Sequence, residues 1–308
     1  MKAAFFTILA VVLAALFVGT FAFYVRYDQS SAMDSVEMRL NTMNEFVKSV
    51  KKDLDRALYI SSFRAFLSLV DNIGVTGNFL DDTTSDFTAA LINGTVGNES
   101  VSLMLNQTFI DWTAKMELLA REIDLNISLN IVNVSMQQSS PWLVSVTATI
   151  NMSLVDKKQT ASWRTVFTAS ASLPVEGFED PVYLIGSNGK IVRPIVKSNV
   201  TSWNITSLND HLEKKTYAAN PLAPSFLSRL EGDLSGHAYG IETLVDTNEL
   251  YIYGEEILNK SSVDYLYFGS ISTTNYKIAN ITDKGNDFFL LDSQHVGFYN
   301  VLGYNYTG

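Results

Sequence analysis

The chain has 308 residues, 47% of them hydrophobic, and a net charge of −10, enough apolar material to bury a core in one large or two ordinary domains. Its 22 Lys and Arg are dispersed, which excludes nucleic acid as a partner, because phosphate binding needs concentrated positive charge. The absence of cysteine removes disulfides, thiolate nucleophiles and cysteine-ligated metals, so stability has to come from packing.

The first element is the run Ala3–Val25, 23 residues without a charge, or about 34 Å of helix at 1.5 Å per residue. That length can span a bilayer. A cleaved secretory signal would carry a shorter apolar core and end at small residues, whereas this run ends "FAFYVRYDQ"; a retained anchor is expected. Lys2 and Arg26 oppose one another and do not orient it.

From residue 33 the apolar positions Met33, Val36, Leu40, Met43, Val47, Val50, Leu54 and Ala57 fall in alternating steps of three and four, a heptad seam. Asp34, Glu37, Arg39, Lys48, Lys51, Lys52, Asp53 and Asp55 lie between them as a solvated face. The seam suits either a second chain or the protein's own domain. A slip then rotates the stripe to Ile60, Phe63, Leu67 and Val70, where a globular core is expected. "RYDQSS" is either a break with a new helix starting at Ser31 or a continuous passage. If continuous, residues 3–72 form a rod of about 105 Å.

Residues 73–108, with four glycines and the acidic "DDTTSD", predict a long exposed excursion. Phe109, Trp112, Met116, Leu119 and Ile123 mark an amphipathic helix capped at Thr108. It leads into "LNISLNIVNVS", where Leu125, Ile127, Leu129 and Ile131 alternate with Asn126, Ser128 and Asn130, the pattern of a half-buried strand. Adjacent Ile131 and Val132 shift the phase, as at a bulge. "WLVSVTATINMSL" and Ala161–Leu173 continue as second and third strands, an antiparallel meander with one apolar face. Farther on, Asn188-Gly189 between apolar runs predicts a β-hairpin. Residues 197–224 form a polar connector with a boundary near 200–215. Beyond it, short helices are predicted at Phe226–Leu230 and Ile241–Val245, and tyrosine-rich strands at Leu250–Tyr253 and Tyr265–Gly269.

Asn-x-Ser/Thr triplets occur at Asn93, Asn98, Asn106, Asn126, Asn133, Asn151, Asn199, Asn204, Asn259, Asn280 and Asn305. The 23 asparagines of the chain would produce roughly four by chance, and none of the eleven has proline in the middle, so they are candidate N-glycosylation acceptors. Their restriction to residues after 92 puts the bulk of the chain outside the cell and its N-terminus inside.

Catalytic constellations are not apparent. His211, His237 and His295 are far apart with no i, i+4 pairing. There is no G-x-S-x-G, Walker loop or G-x-G-x-x-G, and "GSNGK" reads as a turn. Glu176 with Glu179 and Asp180, and Glu255 with Glu256, are neighbours in sequence only, and a glycosidase needs its pair across a cleft. Asp81, Asp82 and Asp86 match no EF-type loop. No cofactor or metal is expected.

An apolar N-terminal helix continued as an amphipathic stalk and followed by an antiparallel sheet domain resembles the type IV pilin class of filament subunits, archaeal ones especially. The resemblance covers residues 1–72 in pattern and 123–173 in architecture, and Lys2-Ala3-Ala4 is similar to a short basic leader for a prepilin peptidase. "ALYISSFRAF", "GFEDP" and "APSFLSRLEG" are similar to stretches of uncharacterised membrane-anchored archaeal surface proteins. The expectation is an α+β protein with a stalk helix over 1–72, a meander domain over 73–205 and a mixed subdomain over 206–308. It would be a non-enzymatic subunit of a filament or surface layer, polymerising with itself through the N-terminal helix and displaying N-linked glycans. The alternative is a single-pass membrane-anchored ectodomain for ligand binding or cell adhesion.

Overall fold

The computed structural model describes residues 2–306 apart from 98, 160, 280 and 282–288, and their side chains apart from those of residues 2–11, 25–35, 305 and 306. Asn98, Asn280 and the side chains of Met33 and Asn305 therefore lie outside what the structure describes. The chain is a mixture of helix and antiparallel sheet.

The first helix, α1, runs unbroken from Lys2 to Thr76, 75 residues. No proline precedes residue 141, and Ser, Asp and Gln cost a helix only a few tenths of a kcal/mol each, so "RYDQSS" is traversed without a new start at Ser31. The helix ends where Gly77 takes a left-handed φ of 68° and donates its N–H to the Ile73 carbonyl at 2.9 Å, a conformation open to glycine. Within the apolar run the Thr20 hydroxyl is bonded back to the Leu16 and Phe17 carbonyls, both at 3.0 Å, which removes the cost of a bare hydroxyl in an apolar setting. Among the described residues no helix is long and apolar enough to cross a membrane. The described side chains of the apolar run, Val12–Tyr24, account for about 20 Å of helix.

The chain divides into two compact units, one of residues 1–53, 115–130 and 151–167, the other of residues 54–114, 131–150 and 168–308. The partition differs from the contiguous spans 1–72, 73–205 and 206–308 because α1 and the long strands are each divided in mid-element. In the first unit Arg39 anchors α1. Its Nε meets Asp156 Oδ1 at 2.5 Å and its Nη2 donates to the Asp124 carbonyl at 2.9 Å, so Arg39 is not on the solvated face that the heptad pattern gave it. Lys51 lies 4.6 Å from the centroid of the Phe167 ring.

Leu125–Ser140 (β3), Leu143–Asp156 (β4) and Ser162–Pro174 (β5) form a sheet of order β3-β4-β5. Two-residue and five-residue connections enforce antiparallel neighbours. Along β4 burial alternates residue by residue, with Val144, Val146, Ala148, Ile150, Met152 and Leu154 inside. In β3 the alternation changes phase at Val132 and Asn133, both exposed, where the paired apolar residues predicted a shift. Trp163, near the start of the third strand, is 40% exposed, and the buried run of β5 starts at Phe167.

In the second unit the C-terminal part of α1 buries Leu58, Ala65, Phe66, Leu69, Val70 and Ile73. This face is rotated from the predicted stripe, and Ile60 is 39% exposed; buried Ser61 and Ser62 bring close a backbone that bulkier residues would hold off, and Ser61 Oγ donates to the Gln107 carbonyl at 3.1 Å. Phe66 meets Phe87 at 4.7 Å between ring centroids, with Phe178 and Phe226 at 6.0 Å. Phe87 belongs to α2 (Thr83–Asn93), so residues 73–108 are not an exposed excursion. The acidic stretch supplies the cap: Asp82 accepts from Ser85 N–H, and Gly94 closes the other end at φ 70°. Short strands β1 (Thr95–Val96) and β2 (Glu99–Ser100) and a turn at Ser102–Met104 lead to α3 (Phe109–Glu122).

After β5 the unit is built from short pieces. These are α4 (Pro181–Gly186), α5 (Ile205–Lys214), β6 (Ala218–Ala219), α6 (Phe226–Leu230), β7 (Ile241–Glu242), α7 (Thr247–Ile252), α8 (Asp264–Phe268), β8 (Asn275–Ile278), β9 (Phe289–Asp292), α9 (Ser293–Phe298) and β10 (Asn305–Tyr306). The hairpin predicted at Asn188-Gly189 is absent: Asp180 caps α4 with Pro181 in its first turn, and the left-handed pair Asn188 and Gly189 unwinds that helix. Three further assignments reverse. Ile241–Val245 is extended, with Ala218 paired to Glu242, while Leu250–Tyr253 and Tyr265–Gly269 fall largely in the one-turn helices α7 and α8. Only Phe226–Leu230 is the helix expected.

Candidate functional site

The candidate acceptors are spread over the surface. All eight whose side chains are described, Asn93, Asn106, Asn126, Asn133, Asn151, Asn199, Asn204 and Asn259, are exposed. Asn126, Asn133 and Asn151 ride on β3 and β4 because each occupies a polar phase of its strand. Asn204 caps α5, its Oδ1 accepting from Thr206 and Ser207 N–H at 2.9 and 3.0 Å, which leaves the amide nitrogen pointing away from the helix. Asn93 and Asn106 line one cleft of about 330 Å³ with Gly94, Met104 and Asp111.

The hydroxyl partners differ among themselves. Thr201 and Thr206 are exposed, but Thr108 is 8% and Ser261 0% exposed.

The assembly seam is half consumed. Met43, Val47, Val50 and Leu54 are buried within the single chain, while Val36 and Leu40 remain 43% and 46% exposed. The lower half of the seam is thus corrected to an internal contact, since a stripe shielded by its own chain has nothing left to offer a neighbour. Beside it Met38, Phe46 and Ile123 line an open groove of about 770 Å³ rimmed by Glu37 and Glu45.

Sequence reasoning missed an ion-pair network deep in the second unit. Arg229, on α6, is fully buried and holds Asp180 Oδ2 at 2.7 Å and Asp264 Oδ2 at 2.8 Å through one nitrogen, while its second donates to the Ile241 carbonyl. Tyr217 donates to the same Asp180 oxygen at 2.7 Å. Close by in the chain fold, His295 Nδ1 meets Asp292 Oδ2 at 2.6 Å and its Nε2 meets Glu242 Oε2 at 3.0 Å. Tyr299 donates to Glu242 Oε1 at 2.7 Å, Asn220 to Oε2 at 2.8 Å and Ser261 to Asp292 Oδ2 at 2.9 Å. The signals in sequence were slight: apart from Asp292-x-x-His295, the members sit at 180, 229, 242 and 264 on separate elements.

Electrostatics follow from burial. Burial alone pulls the His295 imidazolium down, but hydrogen bonds to Asp292 and Glu242 outweigh it and raise its pKa to about 10. Both ring nitrogens then donate. Burial raises Asp264 to about 6 against the opposing pull of Arg229, and Asp264 Oδ1 and Arg229 Nε have no hydrogen-bond partner. For Arg229 itself burial is outweighed by the two aspartates, which hold it charged. His211 is lowered to about 4 by burial; its Nδ1 bonds Thr216 Oγ1 at 2.7 Å and its Nε2 has no partner.

Carboxylates, guanidinium and imidazolium are thus committed to one another at 0–3% exposure, and the described clefts are lined by other residues. The network is a clamp on short elements: one guanidinium ties α4, α6, β7 and α8, and one imidazolium ties β7 to the β9–α9 corner. The carboxylates paired in sequence separate, Asp180 entering the core while Glu176 is exposed, and Glu255 meets Lys190 at 2.6 Å. Asp82 is the N-cap of α2. Among the described residues no group of three or more His, Asp or Glu is arranged to hold a metal ion. Comparison with protein-family models, with curated proteins and with solved structures produces no match.

Proposed function

We propose that the chain is a cell-surface structural protein, a pilin-like filament or surface-layer subunit that assembles through its N-terminal helix and displays an N-glycosylated α+β domain outside the cell. The observation that carries this reading is α1: one unbroken helix of 75 residues whose apolar stretch stands uncovered, with Phe17 80%, Phe21 69% and Phe23 76% exposed. An apolar surface of that extent is covered in a cell by lipid or by neighbouring helices. Eight exposed acceptors support an extracellular domain, and the closed ion-pair network supports a framework role over catalysis.

A second reading draws on the seam. Because Met43, Val47, Val50 and Leu54 are spent inside the chain, the helix has less left to offer a partner than its heptads suggest, which favours a single-pass anchored ectodomain for adhesion or ligand binding. Electron microscopy of material sheared from native cells separates the two. Sedimentable polymers containing this chain are expected; its recovery solely as detergent-soluble monomers would favour the lone anchor.

A further inference from the structure

An Asn-x-Ser/Thr triplet is defined by its hydroxyl as much as by its amide, so the enzyme that glycosylates it must reach both. The triplets of this chain are not equivalent in that respect. At Asn106 the asparagine is exposed, with φ +57°, yet the rest of its triplet is locked into the fold. The Gln107 carbonyl accepts from buried Ser61 at 3.1 Å and its N–H donates to Met104 at 3.0 Å. Thr108 Oγ1 donates to Asp111 Oδ2 at 2.7 Å and accepts from Asp111 N–H at 3.0 Å. At Asn259, again exposed, Lys260 Nζ donates to the Gly269 carbonyl at 2.7 Å. Ser261 is 0% exposed, donating to Asp292 Oδ2 at 2.9 Å and accepting from Asp292 N–H at 3.3 Å, and that aspartate holds His295. Releasing the Ser261 hydroxyl means opening the ion-pair network. Asn199 is the contrast: it lies in irregular backbone with both Asn199 and Thr201 exposed.

We infer that Asn106 and Asn259 accept glycan only from a chain that has not yet folded, whereas Asn199 accepts it from the folded protein. The inference rests on the reading of the triplets as used acceptors. The donor is a lipid-phosphate-linked oligosaccharide. The bond from the sugar's anomeric carbon to the phosphate oxygen breaks, a bond from that carbon to the asparagine Nδ2 forms, and the lipid phosphate leaves with the electron pair while Nδ2 gives up one proton. Glycans placed early do not obstruct the fold, because both asparagine side chains end up outside. The transferase must therefore act on Asn106 and Asn259 as the chain is exported, and occupancy there records that order of events.

The full-length chain, produced without glycan and folded in detergent, is incubated with an oligosaccharyltransferase and lipid-linked oligosaccharide, and site occupancy is followed by mass spectrometry. A second sample is first digested with a glutamate-specific protease, which leaves all three triplets whole in unfolded peptides. In the digest all three asparagines should be modified. In the folded chain Asn199 should be modified at a comparable rate and Asn106 and Asn259 at least tenfold more slowly. Equal rates for Asn259 in the two samples, or loss of Asn199 modification on folding, would overturn the inference. No transfer to any triplet in the digest would instead sink the acceptor reading itself.

Discussion

Arg229 is the residue on which most of the second unit's polar interior depends. Replacing it with Met leaves Asp180 and Asp264 as buried carboxylates without a cation, a situation that costs about 3–5 kcal/mol. Urea unfolding of Arg229→Met should show that loss, and a cost below about 1 kcal/mol would mean the carboxylates are reached by water after all. The histidines set the pH response. His295 keeps its proton up to about 10 in the fold but only to 6.5 when free. Its contribution is therefore complete below 6.5 and declines as pH rises toward 10, at up to about 1.4 kcal/mol per pH unit. His211, neutral in the fold down to about 4, contributes fully above 6.5 and loses that contribution as pH falls toward 4. Asp264, raised from 3.8 to about 6, weakens the fold as pH climbs through that window and so blunts the acid decline. Stability should peak near pH 6.5. Unfolding midpoints between pH 5 and 10 test this, and His295→Gln should abolish the decline above 6.5; an unchanged alkaline limb in that variant would remove His295 from the account.

At the scale of elements, legibility tracked length and one-sided burial. β3, β4 and β5 were readable because a half-buried strand writes its burial into alternate residues, as Val144 to Leu154 do in β4. Among the one-turn helices only Phe226–Leu230 was anticipated, because five or six residues hold no period. Their signals were the caps, Asp180, Asp246 and Asp292, which resemble any acidic residue of a loop. α2 was missed in the same way, and it offers a clean test. Asp82→Ala should cost about 1 kcal/mol by removing the acceptor for Ser85 N–H, with amide exchange quickening across residues 83–93. Gly240 is a case of close approach: a Cβ there would collide with the Asn220 and Ala223 carbonyl oxygens, so Gly240→Ala should lower the unfolding midpoint, whereas Gly254→Ala, where a Cβ meets nothing, should pay only for its positive φ.

At the scale of the whole molecule, the exposed apolar side chains of α1 lie toward its N-terminal end, Phe17, Phe21 and Phe23 among them. The internal burial of Met43, Val47, Val50 and Leu54 restricts any helix-to-helix contact to the segment above them. Val36→Asp with Leu40→Asp alters only side chains that are 43% and 46% exposed. The double variant should therefore fold, with an unfolding midpoint within about 1 kcal/mol of the parent in free-energy terms, and should fail to enter sedimentable polymers. Polymers of normal length from this variant would remove Val36 and Leu40 from any assembly contact.

The sequence by itself determined the uncharged opening run, the phase of three strands and the polar placement of their acceptor asparagines, because each is a local pattern along the chain, whereas it left open whether α1 passes unbroken through "RYDQSS", as it does. Only the tertiary structure decided which half of the heptad seam remains free, and that Asp180, Arg229, Glu242, Asp264, Asp292 and His295 converge. Charges buried together satisfy one another through distance in space, and nothing in their spacing along the chain encodes that distance.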